Sequence, residues 1–302
     1  MTRREALALL GAPALAAGDP PIRTARVTIL STMLADRGIG EWGFGAAVEA
    51  NGRRILFDTG AHPRTVLANA DQLKIDLSDI SDVILSHNHG DHTGGFLTMR
   101  EVLGKRNPKA LSRAWVGEGI FRAGRRGTPM PDAKAVYEKS GGTFEILREA
   151  KEIFPGAWLT GPVPRTHPEK NWSANVGAED NIQEDQSLVL DTVKGLVVVA
   201  GCGHAGIINT LEYAREKVRK APVHAAIGGF HLFNASEETL AWTSAELKKM
   251  GLQHFLGAHC TGIEAVYRVR AAVGLTRRTC AVGAVGGVFD LEKGLQPGAL
   301  AG

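Results

Sequence analysis

The stretch Ser86-His87-Asn88-His89-Gly90-Asp91-His92-Thr93-Gly94-Gly95 constrains this chain more than any other. It places four side chains able to bind a metal, His87, His89, Asp91 and His92, within six positions, directly after the apolar run Val83-Ile84-Leu85. A strand that ends in such a cluster aims its ligands off the carboxyl edge of a sheet, where α/β proteins usually place their sites. His87 and His89 alternate as strand residues do and can converge on one cation. Asp91 and His92 lie past the bend at Gly90 and can reach a second cation nearby. Imidazole and carboxylate donors suit zinc, and also iron or manganese. The competing reading is a histidine-rich turn without a metal, but such tracts are themselves metal-binding signals. The stretch implies a metalloenzyme.

The pattern around it is strands alternating with helices, which argues for a layered α/β architecture. Residues 26–31 read as a strand. Residues 43–50 and 54–57 read as a hairpin joined through Asn51-Gly52, the strongest short hairpin signal. Helices are expected at 63–74, 94–103, 206–220, 236–250 and 263–273. Strands are expected at 80–85, 187–190, 196–200, 223–227 and 254–257, and one closing strand at 281–290. The helix near Ser236 has Glu238 as a capping-box partner if its cap lies one residue earlier. Residues 104–143 are rich in glycine, proline and basic side chains and show no assignable elements; tracts such as Gly117-Glu118-Gly119 and 124–131 could form a loop over the site. The tail, 292–302, reads as frayed.

Several further residues sit where chemistry is expected. Asp58 ends a strand in Phe57-Asp58-Thr59-Gly60, well placed to orient a ligand imidazole from behind. A turn or helix-cap aspartate is the alternative. His204, in Gly201-Cys202-Gly203-His204, stands at the mouth of a buried strand and is a candidate metal ligand. His231, in Gly228-Gly229-Phe230-His231-Leu232, could bind substrate, donate a proton or be structural. His62, His224 and His254 have no such setting and are expected in core or surface roles.

The motif His87-x-His89-x-Asp91-His92 resembles the signature of the metallo-β-lactamase-fold superfamily. With the Asp58 segment, Gly201-Cys202-Gly203-His204-Ala205-Gly206, the His231 segment and His259-Cys260-Thr261-Gly262, the chain resembles a prokaryotic subgroup of metal-dependent hydrolases. That subgroup is related to a dihydropterin–ribofuranosylaminobenzene phosphate synthase. The resemblance implies an αββα sandwich over residues 25–291 and two divalent metal ions, zinc foremost. It places His87, His89 and His204 on the first metal, and Asp91, His92 and His259 on the second. Asp91 could also handle a proton. His167 is a rival for the third histidine of the first metal, although an exposed or substrate-facing role suits its polar loop better. Cys202 falls where other branches carry a bridging aspartate. It is either a thiolate ligand or a buried structural cysteine.

The implied activity is hydrolysis of an ester, lactone, amide or phosphoester of a small-molecule substrate. A pterin synthase-like transferase and a non-catalytic metal-binding or sensing protein are the alternatives. The Gly-Cys-Gly-His motif is not the pattern of the true β-lactamases. A net charge of +3 with scattered basic pairs gives no support to nucleic-acid binding. Three cysteines without paired spacing imply no disulfide framework. Residues 1–19 carry Arg3-Arg4, a short apolar run and an Ala-x-Ala ending. They read as a twin-arginine-like export signal, hence a periplasmic location, and not as a membrane span, which needs about 20 apolar residues.

Overall fold

Two sheets with helices on both outer faces make an αββα sandwich. The computed structural model describes residues 21–122, 129–167, 169 and 182–301. The expected export signal lies outside the described residues. No helix among the described residues is long and apolar enough to cross a membrane.

The first sheet has the order Gly294–Gln296, Val288–Asp290, Ala25–Ser31, Gly45–Ala50, Arg53–Phe57, Asp82–Leu85, Arg113–Gly117 and Thr143–Leu147. Its first five strands pair antiparallel, and from Arg53–Phe57 onward the pairing is parallel. The second sheet runs Cys280–Val282, His254–Gly257, Val223–Gly228, Gly195–Ala200, Ser187–Thr192, Ala157–Leu159 and Lys151–Phe154. Its first four strands are parallel and the remainder antiparallel. Each sheet therefore combines hairpins, which need only short turns, with parallel strands linked through outer helices.

Burial on both faces explains why several strands lack polar alternation. In Gly195–Ala200, Val197 and Val199 enter the core between the sheets. Leu196, Val198 and Ala200 of the same strand pack under the helices Ile207–Lys217, Glu237–Lys249 and Ile263–Val273. A third cluster lies under Thr65–Gln72, Phe96–Gly104 and Met130–Lys139, with Val66, Met99 and Tyr137 facing Leu56, Val83 and Val116. Each large side chain fully buried in this way contributes about 1.5–3 kcal/mol of transfer free energy.

The Asn51-Gly52 hairpin forms as expected, with positive φ of 47° and 78° at its two turn residues. Both values suit the primed turn that matches strand twist. The helix Glu237–Lys249 is capped by Ser236, whose hydroxyl accepts from the Thr239 amide at 3.2 Å. Thr239 therefore occupies the position at which a capping box would need Glu238.

Two expectations are corrected, and one segment without assignable elements gains them. Residues 104–143 are no simple covering loop. They supply the parallel strand Arg113–Gly117 and the helix Met130–Lys139. Buried Arg100 ties them down by donating to the carbonyls of Pro108, Ala110 and Ser140, and the Tyr137 hydroxyl donates to Leu111. Residues 123–128 of this stretch lie outside the described residues. The closing strand divides into Cys280–Val282 in one sheet and Val288–Asp290 in the other, the glycine-rich residues between carrying the chain across the sandwich. The tail does not fray through its whole length. Gly294–Gln296 pairs with Val288–Asp290 and Leu295 inserts into the inter-sheet core.

Candidate metal centre

Five strands deliver the candidate side chains from their carboxyl ends, two from the first sheet and three from the second. Asp58 follows Arg53–Phe57, and Ser86 and His87 follow Asp82–Leu85. Cys202 and His204 follow Gly195–Ala200, and His231 follows Val223–Gly228. His259 and Cys260 occupy the 3-10 turn His259–Thr261, just beyond His254–Gly257. The single helical turn Gly90–Thr93 reverses the chain after His89 and presents Asp91 and His92.

The two expected ligand groups converge. The rings of His87, His89 and His204 stand 4.6, 4.6 and 5.0 Å apart, pair by pair. His92 Nε2 lies 3.2 Å from His259 Nε2, and Asp91 Oδ2 lies 3.4 Å from His259 Nε2 and 4.0 Å from His92 Nε2. The groups adjoin, with the His87 and His92 rings 4.3 Å apart. His87, His92 and His259 are fully buried.

The supporting bonds determine which nitrogen of each ring faces inward. Asp58 Oδ1 accepts from the Ser86 amide and Oδ2 from the Ser86 hydroxyl, each at 2.7 Å. Oδ2 also faces His92 Nδ1 at 2.7 Å. A carboxylate there holds a proton on Nδ1, so Nε2 is the nitrogen that faces His259 and would give up its own proton to ligate a cation. The Ser86 hydroxyl donates its hydrogen bond to Asp58, so it can only accept from His87 Nδ1, 2.9 Å away. His87 Nε2 is thereby freed toward His89 Nδ1, at 3.0 Å. Gly201 makes this arrangement possible: a Cβ there would stand 2.2 Å from Ser86 Oγ and 2.6 Å from Asp58 Oδ2.

Electrostatics separate the two supported rings. Burial, followed by the neighbouring imidazoles, lowers His87 well below the usual histidine range, so it stays neutral. Burial works against protonation of His92 too, but the Asp91 and Asp58 carboxylates raise it to about 9. Burial would raise Asp91, yet the charge of His92 and the bond to His259 outweigh it and hold the carboxyl low. Convergent imidazole nitrogens beside a carboxylate that stays ionised form a donor set suited to a divalent cation, so the residues fit the expected metals.

Cys202 joins the two groups. Its sulfur lies within 4.8 Å of the ligand atoms of both the His87–His204 pair and the His92–His259 pair, and 3.2 Å from His92 Nε2. Cys260, 58 residues away in sequence, brings its sulfur to 3.3 Å. Burial pushes the Cys202 thiol up. Burial would also raise Cys260, but the bond from Cys202 and the imidazoles of His259 and His231 draw it well below the usual thiol range.

His231 sits at the rim, its ring 4.8 Å from His204 and its amide donating to Cys260 Sγ at 3.3 Å. His167 is not in the cluster. Its Nε2 pairs with Glu212 at 2.8 Å on the outer helix, and its amide donates to Asn209. His62 pairs with Glu41 at 2.7 Å.

Sequence reasoning missed four contributors. Buried Glu41 accepts from Ser31, the Ala61 amide and the His62 amide, pinning the loop beside the site. Glu184 accepts from the Asn88 amide, and Asp185 from the Ala205 amide. Gln186 donates to the Leu85 and Trp115 carbonyls, so this polar run stitches the two candidate ligand loops together. Their acidic and amide character within an otherwise featureless stretch was the only available signal. Asp58, His231 and His259 also adopt positive φ of 54°, 51° and 46°. Such conformations cost about 1–3 kcal/mol for residues with a side chain and collect at functional sites.

Comparison with known proteins agrees with this geometry. Residues 46–218 match the profile of the Metallo-beta-lactamase superfamily. A Methanocaldococcus jannaschii protein named 7,8-dihydropterin-6-methyl-4-(β-D-ribofuranosyl)-aminobenzene-5′-phosphate synthase is 32% identical over 235 residues, covering 72% of this chain and 79% of its own length. A crystal structure described as a metal-dependent hydrolase of the β-lactamase superfamily superposes with a TM-score of 0.70 at 26% identity, covering 88% of this chain and 98% of the other. Zinc-bound PqqB from Methylobacterium extorquens, at 18% identity and a TM-score of 0.55 over 88% of this chain and 100% of its own, shares the fold. The superfamily match spans more than half of the chain, and the synthase relative passes 30% identity over most of it. The chain belongs to the metallo-β-lactamase superfamily.

Proposed function

We propose that the protein is a hydrolase of a small-molecule ester, lactone, amide or phosphoester, working with two divalent metal ions, zinc foremost. The observation that carries this reading is the meeting of two largely buried ligand groups at one end of the sandwich, with His92 held from behind by Asp58 and His87 by Ser86. His87, His89 and His204 would hold one ion, and Asp91, His92 and His259 the other. Bound there, the ions would supply Lewis acidity and bring the pKa of water toward neutrality. Asp58 keeps His92 in the tautomer that presents Nε2, and Ser86 does the same for His87. Burial of the cluster excludes bulk water and strengthens each electrostatic contact. His231, at the rim and beside His204, is placed to exchange a proton with a substrate atom entering from outside.

The test is a substrate screen with chelator-treated protein and with the same protein reloaded with zinc, iron or manganese. Hydrolysis of one bond class that appears only on reloading supports the reading. A reloaded protein that binds metal and cleaves none of these bonds overturns it. The named relative favours a second reading, synthesis of the dihydropterin compound in its name. Formation of that compound by the reloaded protein would make the chain a synthase. The Arg3-Arg4 leader supports export of the folded protein, which cell fractionation with and without Arg3→Lys/Arg4→Lys tests.

A further inference from the structure

Two large aromatic side chains stand half-exposed against the ligand cluster. Trp42 is 48% and Phe233 41% exposed. Their rings meet edge to face, with centroids 5.7 Å apart and planes at 76°. Each also touches a histidine of the centre. Trp42 lies 4.9 Å from the buried His259 ring, and Phe233 lies 5.4 Å from His231. The two come from distant segments and are both held in place. Trp42 follows Glu41, whose amide donates to Thr32 at 2.9 Å while Thr32 Oγ1 accepts from the His259 amide at 3.0 Å. The Phe233 amide donates to the Cys260 carbonyl at 3.2 Å. Thus the same local frame carries both the ligands and the aromatic pair.

Leaving this much aromatic surface in water forfeits hydrophobic free energy. Large apolar surface beside a polar centre is the usual composition of a small-molecule pocket. The rings also have a shape. Set nearly at right angles, they offer a flat face and an edge in one corner. A planar ring can stack on one and meet the other edge to face, both favoured by the aromatic quadrupole. A flexible alkyl chain would gain contact area here and no fixed orientation.

We propose that Trp42 and Phe233 form the subsite for a planar aromatic or heteroaromatic ring of the substrate. Stacked there, the ring directs the group attached to it toward His259 and His231, over the ligand cluster. This rests on the hydrolase reading and names its substrate class: aryl or heteroaryl acid derivatives in preference to aliphatic ones. Trp42 and Phe233 act as binding and orienting residues and supply no proton.

The test uses the zinc-loaded full chain, with 2-naphthoate and its saturated decalin analogue as probes, bound in a calorimeter. Both carry the same carboxylate on a similar carbon skeleton, so they differ in the ring's π face. Naphthoate is expected to bind roughly two- to tenfold more tightly than the decalin acid. Trp42→Ala and Phe233→Ala should erase that preference, and Trp42→Phe should keep most of it, with zinc content unchanged in all three. Equal binding of the two acids, no binding of either to zinc-loaded protein, or an unaltered preference in Trp42→Ala overturns the subsite. Failure of the wild-type chain to take up zinc is a separate result, which overturns the metal reading on which the subsite rests.

Discussion

The strands Val223–Gly228 and His254–Gly257 carry a pair of histidines at each end, and the two pairs behave differently. Beyond the carboxyl ends lie His231 and His259, among carboxylates, thiols and other imidazoles. At the amino ends, the His224 and His254 rings meet edge to face at 5.0 Å, and each also packs edge to face on Phe289, at 5.9 and 5.5 Å. There the only polar side chain in hydrogen-bond contact, among the described residues, is Gln253, 3.1 Å from His224 Nδ1. Burial favours neutral rings in the amino-end pair. What distinguishes the carboxyl edge is that two imidazoles beside His231 and His259 are supported from behind, His92 by Asp58 and His87 by Ser86. Sheltered histidines alone do not make a metal centre. Histidines whose outer nitrogen is tied down, with the inner nitrogen aimed at a common point, are what the candidate centre adds.

Changes to that support are expected to have the largest effect. Gly201→Ala should cost about 1–3 kcal/mol of stability, as overpacking does, and should also lower metal content, because its Cβ would displace Ser86 and Asp58. Denaturant unfolding with elemental analysis checks both, and unchanged metal content would mean the supporting bonds matter little. Asp58→Asn keeps the shape and removes the charge behind His92. It should weaken zinc binding roughly 10–100-fold in a competitive chelator titration. An unaltered affinity would break the contrast between the two edges.

The amino-end pair should make itself felt through pH. Burial first, then His224 and Lys194, push His254 down from 6.5 to about 4. Burial also lowers His224, against the opposing bond to Gln253. Protonation therefore favours the unfolded chain. The stabilisation is complete above pH 6.5 and is lost as pH falls from there through about 4. His254→Gln should show a shallower loss of stability than wild type across that interval, measured by unfolding at stepped pH. Equal slopes would show that the pair carries no such linkage. The smallest effect belongs to the same variant: its zinc content should match wild type.

What could be read from the sequence follows from how local each signal is. His87, His89, Asp91 and His92 lie within one turn of chain, so their convergence needed only a strand end and a bend. The helices near 207, 237 and 263 showed their apolar spacing within a few turns. The segment 104–143 hid a strand because Ala114-Trp115-Val116 is short and surrounded by glycine and basic residues. The run 281–290 looked continuous because nothing local marks a change of sheet. Cys202 and Cys260 were each visible inside a motif, but their contact depends on two parallel strands ending side by side. Trp42 and Phe233 gave no sign of lying together, since only the folded sandwich brings the loop after the first strand against the His259 turn. The left-handed backbone of Asp58, His231 and His259 was equally invisible, because it is imposed by the packing around them.

The most direct test of the two-ion reading is the metal content of purified, zinc-reloaded protein, compared among wild type, His204→Ala, His259→Ala and His254→Gln. The account predicts about two ions per chain in wild type and His254→Gln, falling toward about one in each of the other two variants. A wild-type chain that retains no zinc, or a His254→Gln loss equal to that of His259→Ala, would contradict it.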